Sequence, residues 1–227
     1  MSSIPRPAQP VRLVLVDDQP LIRAGLHLFL APHEGFEVVG EADHGGEALD
    51  LLARVDCDVV VMDVRMPVMD GIEATRRIVA ADGPPVLVLT TFGENETLVD
   101  ALDAGAAGFS LKSAPPESLI DAVRATAGGG AWIDPVLLPD LLEQYRRVAI
   151  PRRRGGQAVE ELTPREHDVL VLIASAASNA EIADQLFVGE STVKSHISSI
   201  FMKLGVRDRA AAIVYAFDRG IVSPKLD

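Results

Sequence analysis

The feature that most constrains the fold is a regular alternation of short apolar runs and helix-like stretches in the first 126 residues. Five runs rich in β-branched residues occur at Val11–Val16, Glu37–Glu41, Asp58–Met62, Val86–Leu89 and Ala107–Leu111. Between and after them, apolar residues recur at helical spacing in Pro20–Leu30, Gly46–Val55, Gly71–Ala80, Glu94–Ala104 and Pro116–Thr126. The alternation predicts an α/β domain with a parallel (βα)5 sheet.

The last third of the chain has a different pattern, without strand-like runs. A predicted helix, Pro135–Val148, leads into a basic stretch at 151–156 between prolines and glycines, a composition typical of linkers. Four helical segments follow, at Pro164–Ala176, Asn179–Leu186, Glu190–Leu204 and Arg207–Arg219, with Thr163 and Ser178 as caps. We therefore predict a tail over 1–10, an α/β domain over 11–131, a linker over 132–157 and an all-α four-helix domain over 158–227.

The acidity of the chain is concentrated in its first domain. The net charge of -12 argues against a nucleic-acid-binding protein when it is taken as a whole. However, residues 1–131 contain 9 Lys and Arg against 20 Asp and Glu, whereas residues 158–227 contain 7 against 10. Within 190–209, four basic residues face two acidic ones. Nucleic-acid binding by the second domain therefore stays open.

Cysteine usage and the apolar runs indicate the compartment. The single cysteine, Cys57, excludes an internal disulfide framework and favours a reducing environment. The proline-rich N-terminus does not resemble a targeting segment, and no apolar run approaches the roughly 18 residues of a membrane span. We expect a cytoplasmic protein that does not bind membranes.

Side chains suited to phosphoryl chemistry follow the predicted strands at their carboxyl ends, where parallel α/β sheets bind ligands. Asp17 and Asp18 follow the first strand, and the third, fourth and fifth end at Asp63, Thr90 and Lys112. Three carboxylates suit Mg²⁺, and a hydroxyl and an ammonium could stabilise phosphoryl oxygens. Asp63 could then act as a nucleophile that forms an aspartyl-phosphate. Each residue alone could be an ordinary strand end, but their coincidence at one edge favours a site.

Four motifs carry a family resemblance in this domain: Leu-Val-Asp17-Asp18, Val-Met-Asp63-Val-Arg-Met-Pro-Val-Met-Asp-Gly71, Leu-Thr90-Thr and Gly108-Phe-Ser-Leu-Lys112. Over about residues 10–130 the chain resembles the receiver domain of two-component response regulators. The resemblance implies a flavodoxin-like fold with strand order 2-1-3-4-5. It also implies that Asp63 accepts a phosphoryl group from a sensor histidine kinase.

The same resemblance implies a role for each neighbouring group. Mg²⁺ would be held by Asp17, Asp18, Asp63 and the backbone carbonyl of Arg65. Thr90 would be the switch hydroxyl and Lys112 would contact the phosphoryl group. Phe109 would take the position of the switch aromatic residue, here without the hydroxyl that is common there.

The segment Glu190–Leu204 has the pattern of a helix that reads DNA. Its apolar stripe comprises Val193, Ile197, Ile200 and Leu204, with Phe201 at the margin, and its opposite face carries Ser195, Ser198 and Met202. Lys194 flanks that face on one side, and His196 and Lys203 flank it on the other. With Asn179–Leu186 before it, the segment could form a helix-turn-helix whose second helix enters a major groove. Periodicity alone leaves a plain helical bundle equally open.

Further motifs carry a second resemblance: Leu162-Thr-Pro-Arg-Glu166, Ser178-Asn-Ala-Glu-Ile-Ala183, Ser191-Thr-Val-Lys-Ser-His196 and Lys203-Leu-Gly205. From about Glu161 to Val222 the chain resembles the LuxR-type helix-turn-helix, with Gly189 in place of the usual serine-like cap. The resemblance implies that Lys194, Ser195 and Ser198 face bases, and that Thr192, His196 and Lys203 lie near the DNA backbone. The two domains together are typical of the NarL/FixJ group of response regulators.

These observations predict a phosphorylation-dependent transcription factor rather than an enzyme. Its expected partners are a sensor histidine kinase, double-stranded promoter DNA and a second copy of the chain in a phosphorylation-dependent homodimer. One alternative is a constitutive DNA-binding regulator whose receiver does not depend on phosphorylation. The other is a phosphohydrolase with an aspartate nucleophile, which lacks support because Arg65 stands where that class has its second aspartate.

Overall fold

The structure, a computed structural model, describes residues 10–91, 95–143 and 162–222, without the side chains of residues 95–97. The first nine residues of the predicted tail and the basic stretch at 151–156 lie outside the described residues.

The first domain is a parallel sheet with helices on both faces, as the sequence pattern predicts. Its elements are β1 (Val11–Val16), α1 (Pro20–Phe29), a short 3-10 helix (Pro32–Glu34), β2 (Phe36–Ala42), α2 (Gly45–Leu52), β3 (Val59–Asp63), α3 (Gly71–Ala80), β4 (Val86–Thr90), α4 (Asn95–Ala104), β5 (Gly108–Leu111) and α5 (Pro116–Ala127). The strand order β2-β1-β3-β4-β5 is the predicted one. Both central strands, β3 and β4, are buried along their whole length, because helices cover them from either side.

A sixth strand, β6 (Trp132–Ile133), extends the sheet beyond β5 and was not predicted. It pairs Trp132 with Gly108 and Ile133 with Phe109. Two residues are too few to show a periodic pattern, which is why they fall within the predicted linker over 132–157. Gly108 permits the close approach, since a methyl group built there would lie 2.8 Å from Leu87 Cδ1 and 3.3 Å from the Trp132 carbonyl oxygen.

After β6 the chain turns into the segment where the sequence predicts a helix over Pro135–Val148. The Asp134 N–H donates to the Phe109 carbonyl at 2.9 Å, and the Asp134 carboxylate accepts the Val136 N–H at 3.0 Å. Residues 138–143 are helical, so the predicted start at Pro135 is wrong by three residues: 135–137 form a turn after Asp134. The predicted residues 144–148 lie outside the described residues.

The second domain contains the four predicted helices, α6 (Pro164–Ala174), α7 (Asn179–Leu186), α8 (Glu190–Leu204) and α9 (Arg209–Asp218). Thr163 and Ser178 form capping boxes at the starts of α6 and α7, which confirms both predicted caps. The prediction that the last helix begins at Arg207 is wrong by two residues, because the Asp208 carboxylate accepts the Ala211 N–H at 2.7 Å and caps α9. Seven consecutive residues of α9, 210–216, are buried.

The two domains contact each other at the end of α4 and at the loop before β6. Arg207, between α8 and α9, donates to the carbonyl oxygens of Leu102 and Asp103 and pairs with the Asp103 carboxylate at 3.1 Å. A methyl group built on Gly130 would lie 3.3 Å from the Ala176 carbonyl oxygen. Since exposed carbonyls at a helix C-terminus attract cations, Arg207 caps a helix of the other domain.

Within the described ranges, none of the helices has the length and apolar composition needed to cross a membrane.

The start of α3 contains a glycine that permits no side chain. A methyl group built on Gly71 would lie 2.0 Å from the Asp63 carbonyl oxygen, and the Gly71 N–H donates to the Val64 carbonyl at 2.9 Å. Helix α3 therefore packs directly against the end of β3, which carries Asp63.

Replacing Gly71 with alanine should lower the free energy of unfolding by about 2 to 3 kcal/mol, because backbone must shift to relieve the overlap. Gly25→Ala is the matched control: that glycine lies within α1 with nothing within 4 Å, so alanine should stabilise the chain by about 0.5 to 1 kcal/mol. Urea unfolding followed by circular dichroism measures both. Equal stability of Gly71→Ala and the wild type would contradict the close packing.

Candidate functional site

The carboxyl ends of the strands bring Asp17, Asp18, Asp63 and Lys112 together. Lys112 Nζ lies 2.7 Å from Asp17 Oδ2 and 2.8 Å from Asp63 Oδ2. One ligand oxygen from each of the three aspartates lies within 4.8 Å of the others. Asp17 and Asp63 are 1% and 4% exposed, whereas Asp18 is not buried, so two of the three carboxylates are shielded from water and the third borders solvent.

Burial and charge act against each other at this cluster. Burial raises the pKa of Asp63 above its ordinary value, although the hydrogen bond and charge of Lys112 oppose the rise. Burial by itself would lower the pKa of Lys112, but its hydrogen bonds to Asp17 and Asp63 outweigh that effect and raise it. The ammonium is therefore held charged between the two buried carboxylates of Asp17 and Asp63.

The donor set fits a hard divalent cation such as Mg²⁺. The buried Asp18 Oδ1 has no hydrogen-bond partner among the described residues, and Mg²⁺ prefers carboxylate and carbonyl oxygens. An open groove lined by Asp18, Arg65 and Pro67 lies beside the carboxylates. The main chain of Arg65 hydrogen-bonds the Asp63 carboxylate, so the residue is close to the cluster; the role of its carbonyl as a ligand stays a prediction.

Thr90 ends β4, which is next to β3 in the sheet, and Phe109 lies on the following strand, β5. Thr90 is buried at the end of β4, where its hydroxyl donates to the Thr91 carbonyl at 3.3 Å and its own carbonyl accepts the Lys112 N–H at 2.8 Å. Phe109 is fully buried in the same hydrophobic cluster as Leu98 and Leu102 of α4. Thr90 thus meets Lys112 through its main chain, and Phe109 belongs to the core that also contains residues of α4; the switch roles of the two side chains stay predictions.

Helix α8 exposes most of the side chains that the sequence predicts to face DNA. Thr192, Lys194, Ser195 and Ser198 are exposed, and His196 is half-buried. The hydroxyls of Ser195 and Ser198 donate to carbonyl oxygens one turn earlier in the helix, at 3.0 and 3.1 Å. To donate to another group, each hydroxyl would have to rotate away from its helix carbonyl. Gly189 is the N-cap and offers no side-chain bond to the helix.

Lys203 is engaged within the domain. Its ammonium lies 2.8 Å from Glu166 Oε2, and Ser199 donates to Glu166 Oε1 at 2.6 Å. Glu166 also accepts the N–H of Thr163 at 2.8 Å, so one buried carboxylate caps α6 and ties α8 to it. The sequence predicted Thr163 as a cap, but only the fold brings Lys203 and Ser199 to the glutamate of the same turn. The predicted DNA contact of Lys203 stays untested.

Two further basic residues of 190–209, Arg207 and Arg209, also have partners in the protein. Arg209 donates to the Asn179 side chain at 2.9 Å and to the Ala177 carbonyl, and Arg207 holds the end of α4. Among the described residues of this segment, Lys194 offers an exposed ammonium without an ion pair or hydrogen bond. The local positive charge counted from the sequence is therefore only partly available to a ligand.

Comparison with protein families assigns both domains. Residues 13–124 match the family described as response regulator receiver domain. Residues 160–216 match the family described as bacterial regulatory proteins, luxR family.

Relatives match over nearly the whole chain. LiaR of Bacillus subtilis, a transcriptional regulatory protein, is 37% identical over 216 residues, which cover 94% of this chain and 100% of the relative. The response regulator protein VraR of Staphylococcus aureus is 36% identical over 214 residues, 93% of this chain and 99% of the relative.

Two solved structures have the same organisation. The response regulator ChrA of a heme-sensing two-component system is 37% identical, with 95% of this chain and 100% of that chain covered and a TM-score of 0.52. An RcsB response regulator–DNA complex is 27% identical, with 92% and 98% covered and a TM-score of 0.55.

The Glu166 cluster predicts a pH dependence of stability. The bonds from Lys203 and Ser199 lower the pKa of Glu166 from 4.5 to about 2. Because the folded state favours the charged carboxylate, this stabilisation is complete above about pH 4.5 and is lost as the pH falls towards 2. Glu166→Gln should be less stable than wild type at pH 7, and the difference should shrink between pH 4.5 and 2.

Urea unfolding at a series of pH values, followed by circular dichroism, measures this difference. Glu181→Gln is the control, because Glu181 occupies the same capping-box position in α7 and its pKa is lowered chiefly by bonds from Ser178, with a smaller contribution from the charge of Arg209. This substitution should therefore cost less. A difference between wild type and Glu166→Gln that stays constant with pH would contradict the assignment.

Proposed function

Because the chain belongs to the response regulators that join a receiver domain to a luxR-type DNA-binding domain, we propose that phosphorylation of Asp63 by a sensor histidine kinase controls its binding to promoter DNA. The observation that carries the proposal is the position of Lys112, 2.8 Å from Asp63 and 2.7 Å from Asp17 at the edge of the sheet. A cation at this position would meet the negative charge that a phosphoryl group on Asp63 adds.

The residues around Asp63 suit phosphoryl transfer. A carboxylate oxygen of Asp63 attacks phosphorus, the bond from phosphorus to the donor histidine nitrogen breaks, and its electron pair leaves with the imidazole. Lys112 then pairs with the new phosphoryl oxygens. Asp17, Asp18, Asp63 and the backbone carbonyl of Arg65 would hold Mg²⁺, which when bound neutralises charge on those oxygens.

The proposed signal leaves the acidic cluster through β4 and β5. The phosphoryl group would attract the Thr90 hydroxyl at the end of β4 and the Lys112 ammonium just after β5. The contacts of these two strand ends, one of which precedes α4, would then change. Arg207 of the DNA-binding domain holds the last turn of α4 through the carbonyls of Leu102 and Asp103. A movement of α4 would therefore change the contact between the domains, which is a two-state element that phosphorylation can bias.

The second domain would read DNA through α8. Lys194, Ser195 and Ser198 would face the bases, with Thr192 and His196 near phosphates. Lys203 would use donors of its ammonium that Glu166 leaves free, since an ammonium has three. The similarity of the chain to an RcsB response regulator solved in complex with DNA supports DNA as the ligand.

The exposed face of α8 favours control of DNA binding through dimerisation. Since Thr192, Lys194, Ser195 and Ser198 are exposed while the domains are in contact, the receiver does not need to uncover them. One helix-turn-helix reads one half-site, and two copies spaced by a helical turn bind far more tightly than one. We therefore assign phosphorylation the role of favouring a homodimer on promoter DNA, in the cytoplasm.

Phosphorylation and DNA binding can be tested in one experiment on the full chain. Acetyl phosphate with Mg²⁺ should label the wild type, shift it from monomer to dimer in sedimentation and raise its affinity for its promoter. Asp63→Asn should lose all three effects because the nucleophile is gone.

Lys194→Ala is the complementary variant. It should keep labelling and dimerisation but bind promoter DNA about tenfold more weakly, as expected for a lost base or phosphate contact worth about 1 to 2 kcal/mol. Equal DNA affinity of wild type and Asp63→Asn under phosphorylating conditions would favour the constitutive regulator instead. Multiple turnover of a phosphomonoester would favour the phosphohydrolase.

The contact made by Arg207 leads to a separate prediction. Arg207→Ala should loosen the domain contact by about 1 kcal/mol, near fivefold, because this partly exposed pair is screened by solvent. Hydrogen exchange of the amides in 128–130 and 175–178 should accelerate, since these segments face each other across the contact. Arg219→Ala, which removes the same charge near Tyr215, should leave that exchange unchanged. Unaltered exchange in Arg207→Ala would contradict the role of this residue.

A further inference from the structure

Arg23 of α1 lies behind the acidic cluster and links three parts of the receiver. Its guanidinium donates to the main-chain carbonyl of Asp17. The same group pairs with Asp43 Oδ1 at 2.7 Å and with Glu41 Oε2 at 2.9 Å, at and just after the end of β2. The side chain is only 14% exposed, so water competes weakly for these bonds.

The carbonyl that Arg23 holds belongs to the peptide between Asp17 and Asp18. Other bonds fix the Asp17 side chain, because Oδ1 accepts the Gln19 N–H at 2.8 Å and Oδ2 faces Lys112. Asp18 differs, since its buried Oδ1 has no hydrogen-bond partner among the described residues. The direction of the Asp18 carboxylate therefore depends on the backbone, and the orientation of this peptide sets that backbone.

We propose that Arg23 is a positioning residue for the metal site: it fixes the Asp17–Asp18 peptide so that the Asp18 carboxylate points at the cation. Residues that hydrogen-bond to metal ligands and orient them typically lower the metal affinity by 10- to 100-fold when they are replaced. The inference rests on the proposed function, in which these aspartates hold Mg²⁺, but it concerns the geometry of the ligands rather than the transfer reaction.

A positioning role and a purely electrostatic role predict opposite effects of one substitution. Arg23→Gln removes a positive charge beside an acidic cluster, and this change alone would strengthen the attraction of Mg²⁺. Loss of the hydrogen bond from Arg23 to the Asp17 carbonyl would weaken Mg²⁺ binding instead. Arg23→Lys keeps the charge but cannot reproduce the planar fork that reaches the carbonyl and both carboxylates together.

The test is calorimetric titration of Mg²⁺ alone into the full chain, without a phosphodonor. Both Arg23→Gln and Arg23→Lys should bind Mg²⁺ about tenfold more weakly than wild type. Arg54→Gln is the matched control, because it removes an arginine whose exposed side chain bonds only to the Asp50 carbonyl of α2 among the described residues; its Mg²⁺ affinity should equal that of wild type. Circular dichroism and melting temperature report folding, and Arg23→Lys alone decides the test if Arg23→Gln does not fold.

A kinetic measurement separates positioning from a general structural defect. Labelling by acetyl phosphate should need about tenfold more Mg²⁺ for half-maximal rate in Arg23→Lys, while the rate at saturating Mg²⁺ approaches that of wild type. Mg²⁺ binding by either folded variant as tight as wild type or tighter would overturn the inference and leave the proposed function standing. Failure of the wild type itself to bind Mg²⁺ would overturn the metal site, and with it both proposals.

Discussion

The ammonium of Lys112 between Asp17 and Asp63 is the interaction on which the receiver's organisation depends. Three carboxylates meet at the buried edge of the sheet, and their mutual repulsion would be severe without a cation among them. The hydrogen bonds to Lys112 raise its pKa and keep it charged. Because Lys112 follows β5 while Asp17 and Asp63 belong to the ends of β1 and β3, a change of charge at Asp63 would act directly on a residue of a different strand.

Much of this arrangement could be predicted from the sequence because parallel strands end at one edge. The alternation of runs indicated the sheet, the family resemblance supplied its strand order, and the residues just after the runs indicated the acidic cluster. Contacts between distant segments could not be predicted. Glu166 meets Lys203 across 37 positions, and Arg207 meets Leu102 across 105; neither pairing leaves a periodic or local signal. Strand β6 was missed for a different reason, since two residues are too short for any pattern.

The structure also shows how much of the positive charge in residues 190–209 is available to a ligand. The basic residues of 190–209 suggested a cationic surface, yet Lys203, Arg207 and Arg209 each bond to acidic groups or carbonyls of the protein itself. Lys203 and Arg209 therefore connect helices within this domain, and Arg207 connects the domain to the receiver. These contacts already use part of the positive charge that could otherwise attract DNA. Electrostatic attraction of a single domain to DNA is correspondingly limited, which agrees with a protein whose net charge is -12 and with the proposed reliance on two copies for tight binding.

Strand β6 has a consequence beyond the size of the sheet. A parallel sheet that ended at β5 would present a row of unpaired backbone groups, to which a strand of another molecule could add. Trp132 and Ile133 occupy that row, and the Asp134 N–H continues the pairing to the Phe109 carbonyl. The edge strand on this side of the described sheet is then only two residues long, and very short edge strands are poor templates for pairing with another chain. Detaching β6 would expose the longer edge of β5 again, so a separation of the domains that leaves β6 paired would keep this edge short.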